Sequence, residues 1–222
     1  MARYDSILFD FDGVLVDSEP VHYACWAEIV RPFGIDLAWD IYAATCIGLT
    51  DSAFLEVIGN QATPPVSVAA LREHYPRKRA MFLERMLAAP PVDPALIHLI
   101  NSLSGYKLAV VTSSNRKEIE PMLDRLGVRS CFGAVVCVGD VRRHKPAPDP
   151  YLLAAELLSA KAPLVIEDSD AGVASAQAAG FDVIRVAHAA ETAAVVRAAL
   201  FSETSSPAPA EGCFLPPTSL SS

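Results

Sequence analysis

The stretch Ser6-Ile7-Leu8-Phe9-Asp10-Phe11-Asp12-Gly13 decides the fold of this chain. Its first half is a short apolar run, which is typical of a buried strand. Its second half places two carboxylates two residues apart, where both can leave the end of the strand in the same direction. Ligands of open α/β sheets bind at that edge, so Asp10 and Asp12 are candidate functional residues. Taken alone, Asp-x-Asp-Gly fits a surface turn equally well.

Four further apolar runs have the length of buried strands, and they cover residues 108–111, 133–138, 164–166 and 183–186. Apolar residues at helical spacing separate them, in residues 115–126, 151–158 and 172–179. Asn115 is the predicted N-cap of the first of these helices, with Glu118 three residues on. Strands that alternate with helices predict an α/β fold, with a Rossmann-like parallel sheet and helices on both faces.

A long segment after the first strand interrupts this alternation. Between about Glu19 and Ala89, apolar residues recur at helical spacing and no convincing strand appears. We therefore predict an α/β core domain of residues 1–17 and 90–201 and an inserted α-helical cap domain of residues 18–89. Residues 202–222 are rich in Ser and Pro and predict a flexible tail.

Composition argues against several classes of protein. Of the 222 residues, 52% are apolar and 20% are charged, so the chain can bury a large core. The net charge of -8 disfavours a surface that binds nucleic acid or an anionic membrane. The five cysteines form no Cys-x-x-Cys pair, which is typical of free thiols in a reducing compartment. Neither a signal peptide nor a membrane span is predicted, so a cytoplasmic location is expected.

Three more motifs follow predicted strands. Thr112-Ser113-Ser114-Asn115 offers hydroxyls and free backbone N–H groups to an anion, although ordinary helix capping uses the same residues. Lys145 lies in a proline-rich loop, where a lysine is usually solvated. Glu167 and Asp168 follow the fourth strand and can hold a hard cation or simply cap a turn. Because all four motifs end on one sheet edge, together they predict a nucleophile, an oxyanion binder, a fixed cation and a metal site.

This constellation resembles the haloacid dehalogenase superfamily, and within it the branch of β-phosphoglucomutase and related sugar-phosphate phosphatases. The matching stretches come in the family's order: Phe9 to Pro20, Val110 to Ser114, Lys145 to Asp149 and Ile166 to Ser169. The helical insertion lies where this branch carries its cap domain. The resemblance covers about residues 5 to 200.

The resemblance implies a Mg²⁺-dependent phosphomonoester hydrolase that works through an aspartyl-phosphate intermediate. Asp10 would attack phosphorus, and Asp12 would protonate the leaving oxygen and then take a proton from water. The implied catalytic residues are Asp10, Asp12, Thr112 and Lys145. The implied Mg²⁺ ligands are Asp10, the backbone carbonyl of Asp12, Glu167 and Asp168.

The implied substrate is a small phosphorylated metabolite, and a sugar phosphate suits the branch best. A cap hinged near Asp17 and Pro90 would close over the site and select the leaving group. His22 and Lys78 of the cap match positions used in this branch, although His22 also fits a structural helix face and Lys78 lies in a basic run. The implied substrate-binding residues are Thr112, Ser113, Ser114, Asn115, Lys145, His22 and Lys78. No nucleic-acid or membrane partner is expected.

Two other functions compete with hydrolysis. A β-phosphoglucomutase holds a second phosphate with a cation from the cap, and where those mutases place an arginine this chain has Asp51. An acid there would repel the phosphate, which favours hydrolysis. A receiver-like phospho-acceptor domain also gathers acids, a hydroxyl, a lysine and Mg²⁺ at one sheet edge. Such domains are shorter and lack both Asp-x-Asp on the first strand and a cap.

Overall fold

The computed structural model describes residues 3–47 and 51–201. Its centre is a parallel sheet with the strands β1 (Ser6–Phe9), β2 (Lys107–Val111), β3 (Phe132–Val136), β4 (Pro163–Glu167) and β5 (Asp182–Arg185). The strand order is β3-β2-β1-β4-β5, and every pairing is parallel. The predicted parallel α/β sheet is therefore confirmed, and the strand that precedes Asp10 lies at its centre.

Helices precede and follow the strands. Those of the insertion are α1 (Glu19–Val30), α2 (Trp39–Thr45), α3 (Asp51–Gly59), α4 (Val68–Arg72) and α5 (Tyr75–Ala88). Those around the sheet are α6 (Pro94–Ser102), α7 (Arg116–Arg125), α8 (Asp149–Leu158), α9 (Asp170–Ala178) and α10 (Thr192–Phe201). Among the described residues, no helix is both long and apolar enough to cross a membrane.

Alternate residues of β1 are buried on opposite faces of the sheet. Ile7 and Phe9 belong to a cluster with apolar residues of α6, α7 and α10. Leu8 points the other way and belongs to a cluster with residues of α8 and α9. Helices thus cover both faces, which explains why β1 is a continuous apolar run rather than an alternating one.

The insertion has an apolar cluster of its own. Trp26, Leu55 and Leu71 are among its buried members, and they come from α1, α3 and α4. In contrast, Phe82 and Met86 of α5 belong to the core cluster, so α5 packs against the core as well. Within the described part of the insertion all regular elements are helical, as predicted. The domain boundaries at residues 17 and 90 stay a prediction.

The two chain connections between the sheet and the insertion run side by side. The backbone N–H of Asp17 donates to the carbonyl of Pro91 at 2.9 Å. This pairing joins the segment that leaves β1 to the segment that leads into α6. The predicted tail, residues 202–222, and the cap residues 48–50 lie outside the described residues.

One local prediction was wrong, and another is confirmed only in position. The third strand ends at Val136 rather than at residue 138, because the backbone N–H of Cys137 donates to Asp140 Oδ2 at 2.7 Å and starts a 3₁₀ turn. Asn115 does occupy the N-cap position of α7, but its side chain makes no capping hydrogen bond. No capping box forms, and Glu118 pairs with Arg79 of α5 at 2.7 Å.

Helix α6 was not predicted from the sequence. It begins with Pro94, and the side chain of Asp93 accepts a hydrogen bond from the backbone N–H of Ala95 at 2.8 Å. An N-cap aspartate followed by proline is a common way to start a helix. That signal was present in the sequence and stayed unused.

Candidate active site

Four chain segments meet at the carboxyl edge of the sheet around β1. Because β1 lies between β2 and β4, the residues that follow or end these strands become neighbours: Asp10, Thr112 and Glu167. Lys145 reaches the same place from the loop after β3. Its Nζ donates to Asp10 Oδ1 at 2.6 Å, to Glu167 Oε1 at 2.5 Å and to the carbonyl of Val111 at 3.0 Å. The structure therefore brings the separate motifs together.

The lysine of this cluster is buried. The side chain of Lys145 is 6% exposed, and that of Glu167 is 0% exposed. Burial alone would lower the pKa of Lys145, but the charges of Asp10 and Glu167 outweigh it and raise that pKa. The lysine stays positively charged, and the solvated-lysine interpretation of the proline-rich loop is excluded.

Glu167 is the most firmly held group of the site. One carboxylate oxygen, Oε1, accepts from the hydroxyl of Tyr151 at 2.7 Å as well as from Lys145. The other, Oε2, accepts from the backbone N–H groups of Asp168 and Ser169 at 3.0 and 3.2 Å and from Ser169 Oγ at 3.1 Å. Burial would raise the pKa of Glu167, but Lys145 and these hydrogen bonds hold it below its usual value.

Two glycines let these carboxylates approach the backbone. A Cβ atom at Gly172, in the first turn of α9, would lie 1.8 Å from Glu167 Oε1. A Cβ atom at Gly13 would lie 2.1 Å from Asp168 Oδ2, and Gly13 also has a φ of +77°. Both positions therefore require glycine, on steric grounds at Gly172 and on steric and backbone grounds at Gly13.

The acidic residues fit a metal ion. Asp10, Glu167 and Asp168 each offer a carboxylate oxygen, and these atoms lie within 4.8 Å of one another. Burial, together with neighbouring acids, raises the pKa of Asp10 to about 8 although Lys145 acts in the opposite direction. Burial and the charge of Glu167 likewise raise the pKa of Asp168 to about 6. One lysine does not balance these acids, and an all-oxygen donor set suits a hard divalent cation.

The hydroxyl loop after β2 orients Asp12. The buried Thr112 accepts a hydrogen bond through Oγ1 from the backbone N–H of Ser114 at 3.0 Å. Ser114 Oγ in turn donates to Asp12 Oδ2 at 2.8 Å. Ser114 was predicted to bind substrate, and the structure shows that its hydroxyl bonds Asp12. Ser113 and Asn115 are exposed beside it.

The two cap residues predicted to bind substrate lie together. Lys78 Nζ of α5 contacts His22 Nδ1 of α1. The His22 ring stacks on Phe82, with ring centroids 4.0 Å apart and planes 6° apart. Burial and the charge of Lys78 lower the pKa of His22 to about 3, so its ring is neutral and Nδ1 can accept from the ammonium group. Burial lowers the pKa of Lys78, and Asp12 is among the groups whose charge acts in the opposite direction.

Sequence reasoning missed three polar residues near the site. Tyr151 was read only as part of an apolar helix face, yet it is fully buried and its hydroxyl holds Glu167. A buried tyrosine hydroxyl needs a hydrogen-bond partner, and that requirement was the available signal. Glu19 and Tyr42 of the cap also went unnoticed, and they share a hydrogen bond of 2.9 Å.

Comparisons with known proteins agree with this geometry. Residues 7–186 match the family described as haloacid dehalogenase-like hydrolase. The fructose-1-phosphate phosphatase YqaB of Escherichia coli (strain K12) is 35% identical over 188 residues, which cover 83% of this chain and 97% of that protein. The phosphorylated carbohydrates phosphatase of Thermotoga maritima is 28% identical over 183 residues, covering 81% of this chain and 83% of the relative.

A solved structure extends the comparison to the fold. The crystal structure of a putative β-phosphoglucomutase from Thermotoga maritima matches with a TM-score of 0.70 and 25% sequence identity. The match covers 83% of this chain and 86% of that chain. The resemblance inferred from the sequence motifs is thus confirmed. The chain belongs to the haloacid dehalogenase-like hydrolase family, and it is a phosphatase of that family.

Proposed function

We propose that this phosphatase is a Mg²⁺-dependent hydrolase of small sugar phosphates that works through an aspartyl-phosphate on Asp10. The observation that carries the proposal is the cluster in which Lys145 bridges Asp10 and Glu167 beside Asp168. The names of the two relatives, which specify fructose 1-phosphate and phosphorylated carbohydrates, support the substrate class.

Asp10 is the proposed nucleophile. Lys145 engages its Oδ1, and among the described residues no hydrogen bond engages its Oδ2. Oδ2 attacks phosphorus in line with the leaving oxygen: the Oδ2–P bond forms as the ester P–O bond breaks. Lys145 neutralises charge on the carboxylate and on the phosphoryl oxygens beside it.

Asp12 is the proposed general acid and base. Ser114 holds one of its carboxylate oxygens at 2.8 Å, which fixes the direction of the side chain. In the first step Asp12 protonates the leaving oxygen. In the second step it accepts a proton from the water that attacks the aspartyl-phosphate, which releases phosphate and restores Asp10.

The remaining residues bind the phosphoryl group and the metal ion. We assign phosphoryl binding to the Thr112 hydroxyl and the Ser113 backbone N–H. Asp10, Glu167, Asp168 and the Asp12 backbone carbonyl would hold Mg²⁺. When bound, Mg²⁺ supplies the positive charge that lets an anionic nucleophile approach an anionic phosphate.

A phosphoryl-transfer isomerase is the second candidate, and the fold likeness to a putative β-phosphoglucomutase favours it. The sequence argument against it was Asp51 in the cap stretch 48–52. Residues 48–50 lie outside the described residues, and the structure gives only the backbone of Asp51, as the first residue of α3. The acid at position 51 favours hydrolysis over isomerisation, and one experiment can distinguish the two functions.

The test is phosphate release from a panel of sugar phosphates that includes fructose 1-phosphate, with Mg²⁺ and with EDTA. We expect release only with the metal. A parallel reaction holds β-glucose 1-phosphate with trace glucose 1,6-bisphosphate. Formation of glucose 6-phosphate with little free phosphate would identify a mutase instead. A phosphorylated protein that persists for minutes would favour the phospho-acceptor alternative.

We further infer a cytoplasmic phosphatase whose partners are small molecules. The described cysteines, Cys25, Cys46, Cys131 and Cys137, are free thiols, which suits a reducing compartment. The net charge of -8 gives no support to a nucleic-acid or membrane surface. When the source cells are fractionated, we expect to detect the protein in the cytosolic fraction.

A further inference from the structure

Two side chains of the cap, Glu19 and Tyr42, have no part in the mechanism above. Glu19 is the first residue of α1, and Tyr42 lies in α2. The Tyr42 hydroxyl donates to Glu19 Oε2 at 2.9 Å, and Tyr42 itself is 5% exposed within the cap cluster. Tyr42 therefore fixes the direction of the Glu19 carboxylate. Among the described residues, no hydrogen bond engages Glu19 Oε1.

Glu19 lies three residues before His22 on α1, so the two side chains share a helix face, and His22 contacts Lys78. Asp12, Lys78 and Asp17 all act electrostatically on its carboxylate. Lys78 is in turn influenced by both Asp12 and Glu19. The Glu19 carboxylate and the Lys78 ammonium group are thus electrostatic neighbours of Asp12. Asp12 is the proposed proton donor to the leaving oxygen, so groups that adjoin Asp12 from the cap would lie near the organic part of a bound ester.

Glu19 differs from an ordinary acidic residue in the first turn of a helix. Such residues stabilise the helix dipole and stay in solvent. Glu19 is only partly exposed, and burial raises the pKa of its carboxyl group. A helix-dipole role requires neither burial nor a tyrosine partner. A carboxylate oriented in this way keeps one oxygen that can accept a hydrogen bond from a ligand.

We propose that Glu19, oriented by Tyr42, accepts a hydrogen bond from a hydroxyl of the leaving group and so selects phosphate monoesters of sugars and polyols. This inference rests on the proposed function. With Lys78 as donor and Glu19 as acceptor, the cap offers the two kinds of partner that a polyol hydroxyl can use. A second phosphate at the same place would meet a carboxylate, which disfavours bisphosphates.

The experiment compares kcat/KM for three substrates: fructose 1-phosphate, fructose 1,6-bisphosphate and acetyl phosphate, which has no hydroxyl group. We expect Glu19→Ala to lower kcat/KM for fructose 1-phosphate about 10- to 100-fold, as for a lost hydrogen bond to a charged group. The loss with acetyl phosphate should stay under about threefold. Tyr42→Phe should give a smaller loss with the same preference, since it frees the carboxylate without removing it.

A charge test separates the hydroxyl contact from repulsion of a second phosphate. Glu19→Gln keeps the size of the side chain but removes its charge, so the ratio of bisphosphate to monophosphate kcat/KM should rise about tenfold. Glu28→Gln is the matched control. Glu28 is an exposed glutamate on the same helix whose carboxylate pairs with Arg77 and Arg85, and its loss should leave the ratio unchanged.

Each result has a distinct meaning. Equal losses with fructose 1-phosphate and acetyl phosphate would overturn the inference and assign Glu19 a structural role. Unchanged kinetics with every substrate would overturn it as well. Absence of phosphate release by the wild-type enzyme from these substrates and from the whole sugar-phosphate panel would overturn the proposed function itself, and this inference with it.

Discussion

The carboxyl edge of the sheet and the facing cap place their charged groups in different ways. At the edge, each functional group comes from the end of a strand or the loop after it, and Lys145, Asp10 and Glu167 hold one another in a buried cluster. In the cap, three consecutive residues of α5 serve three purposes. Arg77 pairs with Glu28 inside the cap at 3.2 Å, Lys78 lies near the site, and Arg79 pairs with Glu118 of the core at 2.7 Å.

This difference suggests separate roles for the sheet edge and for the cap. The edge is assembled before substrate arrives, because Lys145, Asp10 and Glu167 are already bonded to one another. The cap instead offers groups such as Glu19 whose hydrogen-bonding capacity is only partly used by the protein. Chemistry should therefore depend on the edge alone, while the choice of substrate should depend on the cap.

The strongest test of the edge is Asp10→Asn. We expect turnover to fall by a factor on the order of 10⁴ to 10⁶, because an amide cannot form the aspartyl-phosphate. The fold should persist, since Lys145 keeps Glu167 as its partner. Phosphate release and circular dichroism check the two expectations. Substantial remaining activity would rule out Asp10 as the nucleophile.

Asp12→Asn should have the next largest effect. An asparagine retains the hydrogen bond from Ser114 but neither donates nor accepts the catalytic proton. We expect kcat to fall about 10² to 10⁴-fold while the affinity for substrate is largely kept. Single-turnover kinetics and substrate titration separate the two quantities. A loss seen mainly in binding would contradict the acid–base assignment.

Gly172→Ala tests the packing beneath the edge. Replacing glycine by alanine inside a helix normally raises the free energy of unfolding, so a decrease at this position would be informative. Here the added Cβ would lie 1.8 Å from Glu167 Oε1, and we expect a loss of about 3 kcal/mol in the free energy of unfolding. Gly105→Ala is the control, because its Cβ would meet no atom within 4 Å. Stabilisation of both variants in urea denaturation would contradict the steric argument.

Asp5 precedes the amino end of β1, at the other edge of the sheet from the site. Its pKa is lowered, whereas those of Asp10 and Asp168 are raised. It accepts hydrogen bonds from the backbone N–H groups of Lys161 and Ala162 at 2.8 and 3.0 Å. Burial would raise its pKa, but these bonds outweigh burial and hold the pKa below its usual value. We expect Asp5→Ala to cost about 1 kcal/mol of unfolding free energy at neutral pH.

The sign of the pH dependence follows from the lowered pKa. The stabilisation by Asp5 is present above the pKa of the unfolded state and disappears as pH falls through the folded-state value. The difference in unfolding free energy between wild type and Asp5→Ala should therefore shrink towards acid. A difference that stays constant down to about pH 3 would contradict this assignment.

The smallest expected effect concerns the link between cap and core. Arg79 is 62% exposed in its ion pair with Glu118, so Arg79→Ala should cost only about 0.5 kcal/mol and the cost should vanish at high salt. Arg77→Ala, which breaks a pair within the cap, is the control. A loss of kcat as large as that of Asp12→Asn would show that the cap takes part in the chemistry.

The site residues of the core could be predicted from the sequence because the ends of parallel strands lie at one edge of the sheet. In a parallel sheet the ladder of hydrogen bonds aligns neighbouring strands, so polar residues that follow buried runs must share an edge. Asp10, Thr112 and Glu167 were found in this way. The role of Lys145 was harder to predict, because its loop alone is equally typical of a solvated lysine and only the other three motifs favour a place in the site.

The remaining contacts depend on which way a helix or loop residue points. Tyr151 lies on a helix face that packs onto the sheet, and its periodicity is the same whether or not its hydroxyl reaches Glu167. Gly172 looks like any small residue of a helix until the carboxylate beside it is seen. Glu19 and Tyr42 come from different helices, whose relative placement is set by packing in the cap cluster.

The backbone hydrogen bond between Asp17 and Pro91 has a consequence for how such enzymes diversify. The chain leaves the sheet and returns to it at adjacent points, so the cap is attached through two short neighbouring segments. Because Phe82 and Met86 of α5 also pack in the core cluster, a replacement segment would have to fit the paired connections and supply those apolar contacts. We therefore expect the insertion to tolerate changes of length more readily than the strand ends that carry Asp10, Thr112 and Glu167.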